Sequence, residues 1–474
     1  MTPTRREFCK QLGVAAGVGM ALPGLSASAA SEESQVNENA DKRPNILLLF
    51  PDQHRYDWIG ANPNLPLRTP NLDALAQRGV RFSQAYCPSP LCAPARACLA
   101  SGKEYERCRV PSNREDYPYD QTTLYMLLRD AGYHVAGCGK FDLHKGSPTW
   151  GVDGKHGLAE WGFSDGIDNA GKWDAINSGR ETPKDPYMAY LQREGLLDAH
   201  VADFTKRRKG KGTFPTPLPE EAYCDNWVAA NGLKLMDRFP EGKPWFLQVN
   251  FTGPHEPFDI TARMERLVRD RDFPQPNRNT QYDAPTHNAV RQNYAAMIEN
   301  IDRWMGLFLE ELLRRDELGR TLVVYSSDHG EMLGDHDLWG KSKPHQPSVG
   351  VPLVVAGPGV NGGQVIDAPV TTLDLHATFL DAAGLPQPED TDSRSLAPLL
   401  EGKTRAHRDY VRSGLGDWRV VSDGRYKLVT GYGETGQDML FDLEADPLEN
   451  EDIADTAADI VKRLKGFMRE EAVI

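Results

Sequence analysis

At 474 residues the chain can bury one large core plus a smaller subdomain. Lys and Arg number 54 against 68 Asp and Glu, a formal net charge of -14, which argues against a nucleic-acid partner. Acidic bulk charge still permits an anionic substrate where the pocket itself is basic. No apolar run after residue 30 is long enough to span a bilayer, so no stable membrane insertion is expected.

The N-terminus reads as an address rather than as structure. Thr4-Arg5-Arg6-Glu7-Phe8-Cys9-Lys10 matches a twin-arginine export signal, followed by an apolar run from Leu12 to Leu25 and a small-residue cleavage site at Ala27-Ser28-Ala29. Residues 1–30 are thus expected to be a signal peptide that leads the chain out through the twin-arginine machinery, to the periplasm or beyond. Residues 31–43, rich in Ser, Glu and Asn, read as a linker.

Ile46-Leu47-Leu48-Leu49-Phe50 is wholly apolar, as expected of a buried parallel strand, and it runs out into Pro51-Asp52-Gln53. Thr69 and Pro70 start a helix carrying Leu72, Leu75 and Ala76. Cys92-Ala93-Pro94-Ala95-Arg96 opens a second helix, with Pro94 in its first turn and Gly102 just past its end. An anion at that N-terminus would face unpaired N–H groups and the positive end of the helix dipole.

Further along, Leu124, Leu127, Leu128 and Ala131 form a helical stripe closing at Gly132, and Val135-Ala136 lead to Gly139-Lys140. Trp245-Phe246-Leu247-Gln248-Val249 is a strand that ends before Gly253-Pro254-His255. Met297, Ile301, Met305, Phe308 and Leu312 mark one face of a long helix, and Leu322-Val323-Val324-Tyr325 is a strand preceding Asp328-His329-Gly330.

This alternation predicts an α/β fold with a mostly parallel sheet and helices on both faces, spanning residues 44–404. From about Arg405 the pattern becomes antiparallel. Trp418-Arg419-Val420-Val421 turns at Asp423-Gly424 into Tyr426-Lys427-Leu428-Val429, and Leu440-Phe441-Asp442-Leu443 adds a strand before a terminal helix. Residues 405–474 are therefore expected to form a C-terminal subdomain.

Ligands of such sheets bind beyond the carboxyl ends of the strands. Asp52, Lys140, His255 and the Asp328-His329 pair all follow strand ends, so one shared site is expected. Asp52, Asp328 and His329 suit a divalent metal ion.

With Cys92 inside C-x-P-x-R, the chain resembles the formylglycine-dependent sulfatases of the alkaline-phosphatase superfamily. Their motif reads C-x-P-S-R followed by L-T-G-R; here it is C-A-P-A-R, then Leu99-Ala100-Ser101-Gly102-Lys103. The resemblance implies an alkaline-phosphatase-like α/β fold, with a large mostly parallel sheet and a small C-terminal antiparallel sheet. It implies that a maturation enzyme oxidises Cys92 to formylglycine, whose hydrate is the nucleophile. One divalent cation, calcium with manganese or magnesium as alternatives, would be held by Asp52, Gln53, modified Cys92, Asp328 and His329. Asp52-Gln53 and Asp328-His329 replace the commoner Asp-Asp and Asp-Asn, as in the choline-sulfatase and phosphonate-monoesterase branches.

The resemblance further assigns Arg96 and Lys140 to holding the nucleophile, and Lys341 and His255 to the sulfate and the departing oxygen. Asp142 stands where the family's G-K-W-H-L-G has histidine, with His144 as the possible substitute. Sulfate-ester hydrolysis on a sulfated carbohydrate or a small sulfate ester is the implied activity. Phosphonate or phosphate ester hydrolysis on the same scaffold is the rival reading, and a silent carbohydrate-binding homologue is a third. The basic run Lys206-Arg207-Arg208-Lys209-Gly210-Lys211 reads either as a solvated loop or as a contact for a sulfated polysaccharide. Setting aside Cys9 and Cys92, five cysteines remain, and any disulfide pairing is open.

Overall fold

Side chains of the first strand, β1 (Asn45–Leu49), point alternately into two different cores. Ile46, Leu48 and, just beyond, Phe50 join Leu99, Leu124, Leu128 and Phe379, whereas Leu47 and Leu49 join Leu72, Val228, Met305 and Phe308. Helices therefore cover both faces of the sheet, which is why the strand is apolar at every position from Ile46 to Leu49 rather than at every second one. A computed structural model describes residues 42–468. The expected export signal and nearly all of the expected linker lie outside the described residues.

The central sheet also contains β2 (Val80–Phe82), β3 (His134–Gly139), β4 (Asp165–Asp168), β5 (Trp245–Asn250), β6 (Thr321–Ser326), β7 (Leu353–Ala356) and β8 (Gln364–Ile366). Their order across the sheet is β4-β3-β5-β1-β6-β7-β2-β8. Neighbours pair in parallel except at β7, which runs against both β6 and β2. The four strands expected to deliver site residues, β3, β5, β1 and β6, are consecutive and parallel. All their carboxyl ends lie on one edge.

The helix Cys92–Ser101 has the bounds its sequence implies, and Gly102 ends it with φ 69°, a left-handed conformation that glycine adopts without a Cβ penalty. A second sheet of four antiparallel strands, β9 (Val411–Leu415), β10 (Trp418–Ser422), β11 (Tyr426–Thr430) and β12 (Met439–Asp442), forms a meander. Among the described residues no helix is long and apolar enough to cross a membrane. The six cysteines described are all buried and free.

One buried ion pair ties this second sheet to the segment that follows Lys341. Lys427 of β11 pairs with Glu449, both almost fully enclosed, and its Nζ donates to the Pro344 carbonyl at 2.9 Å. Glu449 in turn accepts the Gln346 amide at 2.7 Å. Burial alone would raise the Glu449 carboxyl, yet Lys427 and His345 hold it down at about 2.

Lys427→Met would leave that carboxylate buried without its cation, at a cost of about 3–5 kcal/mol. A lower urea midpoint at pH 7 is the expected result. A carboxyl with a depressed folded pKa contributes fully above its unfolded value of about 4.3 and loses that contribution as pH falls. The gap between wild type and variant should therefore narrow from about pH 5 toward pH 2. Equal midpoints at pH 7 would show that the pair contributes no stability.

Candidate active site

Asp52 follows β1, Lys140 follows β3, His255 lies beyond β5, and Asp328 and His329 lie just past β6. The chain stays in register beyond the strands: Phe50 N–H donates to the Val249 carbonyl at 2.8 Å, and Asp52 N–H to Gly253 at 3.1 Å. Asp52, Asp328 and His329 are fully buried.

The Cys92–Ser101 helix points its N-terminus into this group. Cys92 Sγ lies 3.2 Å from His329 Nε2 and 3.9 Å from Asp52 Oδ1. Burial and Asp52 would raise the Cys92 thiol, but Lys140, Lys341 and His329 outweigh them and bring it to about 6. One helical turn on, Arg96 braces three strand ends. Its Nε donates to Asp328 Oδ2 at 3.0 Å, and its Nη1 to the Lys140 carbonyl and to Asn250 Oδ1, the latter at 3.2 Å. Lys140 Nζ pairs with Asp52 and lies 3.0 Å from Asp142.

The donor set fits a divalent metal. One ligand atom from each of Asp52, Cys92, Asp328 and His329 lies within 4.8 Å of the others. Neighbouring donors around a bound cation stand about 3–3.5 Å apart when bonds are about 2.1–2.4 Å. The 3.7 Å from His329 Nε2 to Asp328 Oδ2 and the 3.8 Å to Asp52 Oδ1 need only slight contraction. His329 Nδ1 faces the Gly330 carbonyl at 3.1 Å, which fixes an N–H there and aims Nε2 at the cluster, where a metal would take the place of the Nε2 proton.

Gln53 meets the cluster through its backbone, whose N–H donates to Asp328 Oδ1 at 3.0 Å. Its side chain turns the other way, with Nε2 on Glu331 and Oε1 accepting Lys341 Nζ at 2.8 Å. Gln53 has φ 71°, unusual for a residue with a side chain, and the Tyr294 hydroxyl secures it by donating to the Gln53 carbonyl at 2.6 Å. Lys341 Nζ also donates to His255 Nε2, while His255 Nδ1 faces the Glu256 carbonyl. Burial and the adjacent Lys341 ammonium push the His255 imidazole down to about 3, so it is neutral and accepts.

Comparison with known proteins gives the family. The family model described as Sulfatase matches residues 44–385, and one described as N-sulphoglucosamine sulphohydrolase, C-terminal, matches residues 334–473. The chain belongs to the sulfatase family. This sulfatase, a sulfuric ester hydrolase, is 31% identical to a choline-sulfatase of Rhizobium meliloti over 449 residues, covering 87% of this chain and 83% of the relative. It is 27% identical to an arylsulfatase of Clostridium perfringens over 438 residues, covering 86% and 89%. In fold it is similar to a phosphonate monoester hydrolase of Agrobacterium radiobacter, with a TM-score of 0.75 at 24% identity over 90% of this chain and 94% of that one. The similarity at 24% concerns the fold alone, the alkaline-phosphatase-like architecture expected from sequence.

In this sulfatase Asp142, not His144, faces the catalytic edge. Asp142 has φ 53° and pairs with Lys140 and, at 2.8 Å, with Lys145. His144 turns instead toward the rings of His156, at 4.4 Å, and Trp161, at 6.0 Å. Sequence reasoning missed Asn250, Glu331, Tyr294 and Lys145. Asn250 ends a strand beside the others and Glu331 lies two residues after His329, so both were within reach of the same strand-end argument. Tyr294 and Lys145 carry no such signal.

Proposed function

We propose that this sulfatase acts on sulfated carbohydrates or small sulfate esters with formylglycine, made from Cys92, as its nucleophile. The observation that carries the reading is Cys92 at a helix N-terminus, enclosed by Asp52, Asp328 and His329 and ringed by Arg96, Lys140 and Lys341. Formylglycine at position 92 would supply a hydrated aldehyde, with one hydroxyl to displace the alcohol from sulfur and a second through which sulfate could be expelled by C–O cleavage.

Asp52, Asp328, His329 and position 92 would hold one divalent metal, with calcium the favoured ion; Gln53 reaches this group through its backbone N–H on Asp328, while its side chain lies on Glu331 and Lys341. Such an ion offsets the negative charge of a sulfate under attack by an anion. Arg96 orients Asp328, and Lys140 orients Asp52 beside the nucleophile. Lys341 and His255 form a hydrogen-bonded pair positioned to hold the sulfate and to protonate the departing oxygen.

The names of relatives support the substrate class, among them an N-acetylglucosamine-6-O-sulfatase of Bacteroides thetaiotaomicron at 26% identity. Export through the twin-arginine machinery, on the strength of Arg5-Arg6, belongs to the same reading. The chain would then fold, and Cys92 would meet its maturation enzyme, before leaving the cytoplasm.

The test compares nitrophenyl sulfate, nitrophenyl phosphate and a phenylphosphonate monoester at equal concentration. Sulfate should be turned over fastest by the matured enzyme, and faster turnover of the phosphonate would favour the rival hydrolase reading. Metal content is checked separately. Wild type should carry one equivalent of divalent metal and Asp328→Asn none, read by elemental analysis. A variant with undiminished metal would refute the ligand set.

A further inference from the structure

Residues 169–244, between β4 and β5, include helices Trp173–Gly179, Pro186–Arg193 and Leu197–Arg207. At the start of this stretch Lys172 Nζ donates to the His255 carbonyl at 3.0 Å and pairs with Asp259 at 2.6 Å, which fastens it to the loop carrying His255. The basic run at 206–211 starts in the last turn of the third helix and continues beyond it. The run does not behave as one solvated face. Arg207 is buried against Asp203 at 3.0 Å, and Arg208 lies 4.7 Å from the Trp173 ring centre.

Lys211 is different from both. Its ammonium sits 3.5 Å from the Trp339 ring centroid, and among the described residues it makes no ion pair. Trp339 is two residues from Lys341, in a loop pinned where the Gly340 amide donates to Glu331 Oε1 at 2.7 Å. The indole is itself fixed, stacked with His287 at 5.5 Å and 7° and donating from Nε1 to Gln281 at 3.0 Å. The acidic groups whose fields reach Lys211 are Glu331 and Glu256. Glu331 is already committed to Gln53 and to the Leu333 and Gly340 amides.

An ammonium held by an aromatic face keeps its charge available to a ligand, whereas one held in a carboxylate pair does not. Burying it halfway without a counter-ion costs free energy that an incoming anion would recover. We propose that Lys211, presented on the Trp339 shelf, binds a second anionic group of the substrate, a sulfate or carboxylate on the sugar whose sulfate ester is cleaved. The favoured substrate class is then a polyanionic saccharide rather than a monosulfated one. This rests on the sulfatase reading above.

The experiment uses the matured full chain, with nitrophenyl sulfate as reporter and two competitors, a glucosamine carrying two sulfates and N-acetylglucosamine 6-sulfate. Lys211→Met keeps the apolar stem on Trp339 and removes the charge. It should raise the inhibition constant of the disulfated sugar about tenfold or more, the worth of one charge-assisted hydrogen bond. It should leave that of the monosulfated sugar, and reporter turnover, within about twofold. Lys211→Arg should restore most of the preference. Equal changes for both competitors, or none, would overturn the assignment. Failure of the wild type to turn over the reporter would instead strike the sulfatase reading, and the assignment with it.

Discussion

Cys92→Ala is expected to lower turnover of nitrophenyl sulfate by about ten-thousandfold or more while leaving the fold intact. The size of the effect follows from losing the nucleophile, since the other groups of a covalent catalyst retain little rate without it. Stability should change little, because the helix keeps its bounds and alanine suits its first turn. Cys92→Ser is the more informative partner. A serine hydroxyl could attack sulfur once, but it carries no second hydroxyl to expel sulfate by C–O cleavage. The variant should stop after one turnover with sulfate attached, and intact mass should show the added group. In wild-type protein made with a competent maturation system, the Cys92 peptide should be lighter than its cysteine form. Full activity from an entirely unmodified Cys92 would sink the formylglycine mechanism.

Much of the catalytic edge was legible in sequence because parallel strands with helices on both faces must be apolar throughout. A run as short and as apolar as Leu322-Val323-Val324-Tyr325 fits a strand buried on both faces, and whatever follows it falls on the ligand-binding edge. The bounds of the Cys92 helix were legible for a local reason, a proline in its first turn and a left-handed glycine after its last. Less visible were β4, whose Asp165-Gly166-Ile167-Asp168 has no apolar run, and the reversal of β7, since direction depends on how connections cross the sheet. The exchange of Asp142 for His144 at the edge turns on one left-handed residue after β3, which spacing does not reveal. Gln53 is the clearest case. The family resemblance named it a metal ligand, but the partners that take its amide, Glu331 and Lys341, lie 278 and 288 residues away.

The His255–Lys341 pair carries the second large expectation. Sugar and alkyl sulfates depart as poor alkoxides and need a proton in the transition state, whereas nitrophenyl sulfate departs as a stabilised phenolate and needs it far less. His255→Ala should therefore cut turnover of a sugar sulfate by about a hundredfold to ten-thousandfold, the usual worth of general-acid help, and that of nitrophenyl sulfate by much less. The structure refines how that help is organised. His255 is neutral and accepts from Lys341, so at rest the mobile proton belongs to the ammonium. Delivery can then run through His255 Nε2, which first takes the proton from Lys341 and then passes it to the departing oxygen. It can also run from Lys341 directly, with His255 only aiming it. The two routes separate in one comparison. In the first, His255→Ala is selective for the poor leaving group. In the second, Lys341→Met is the selective variant, and His255→Ala slows both substrates by the same modest factor. Equal losses from both substitutions on both substrates would remove leaving-group protonation from this pair and leave it a sulfate-binding role alone.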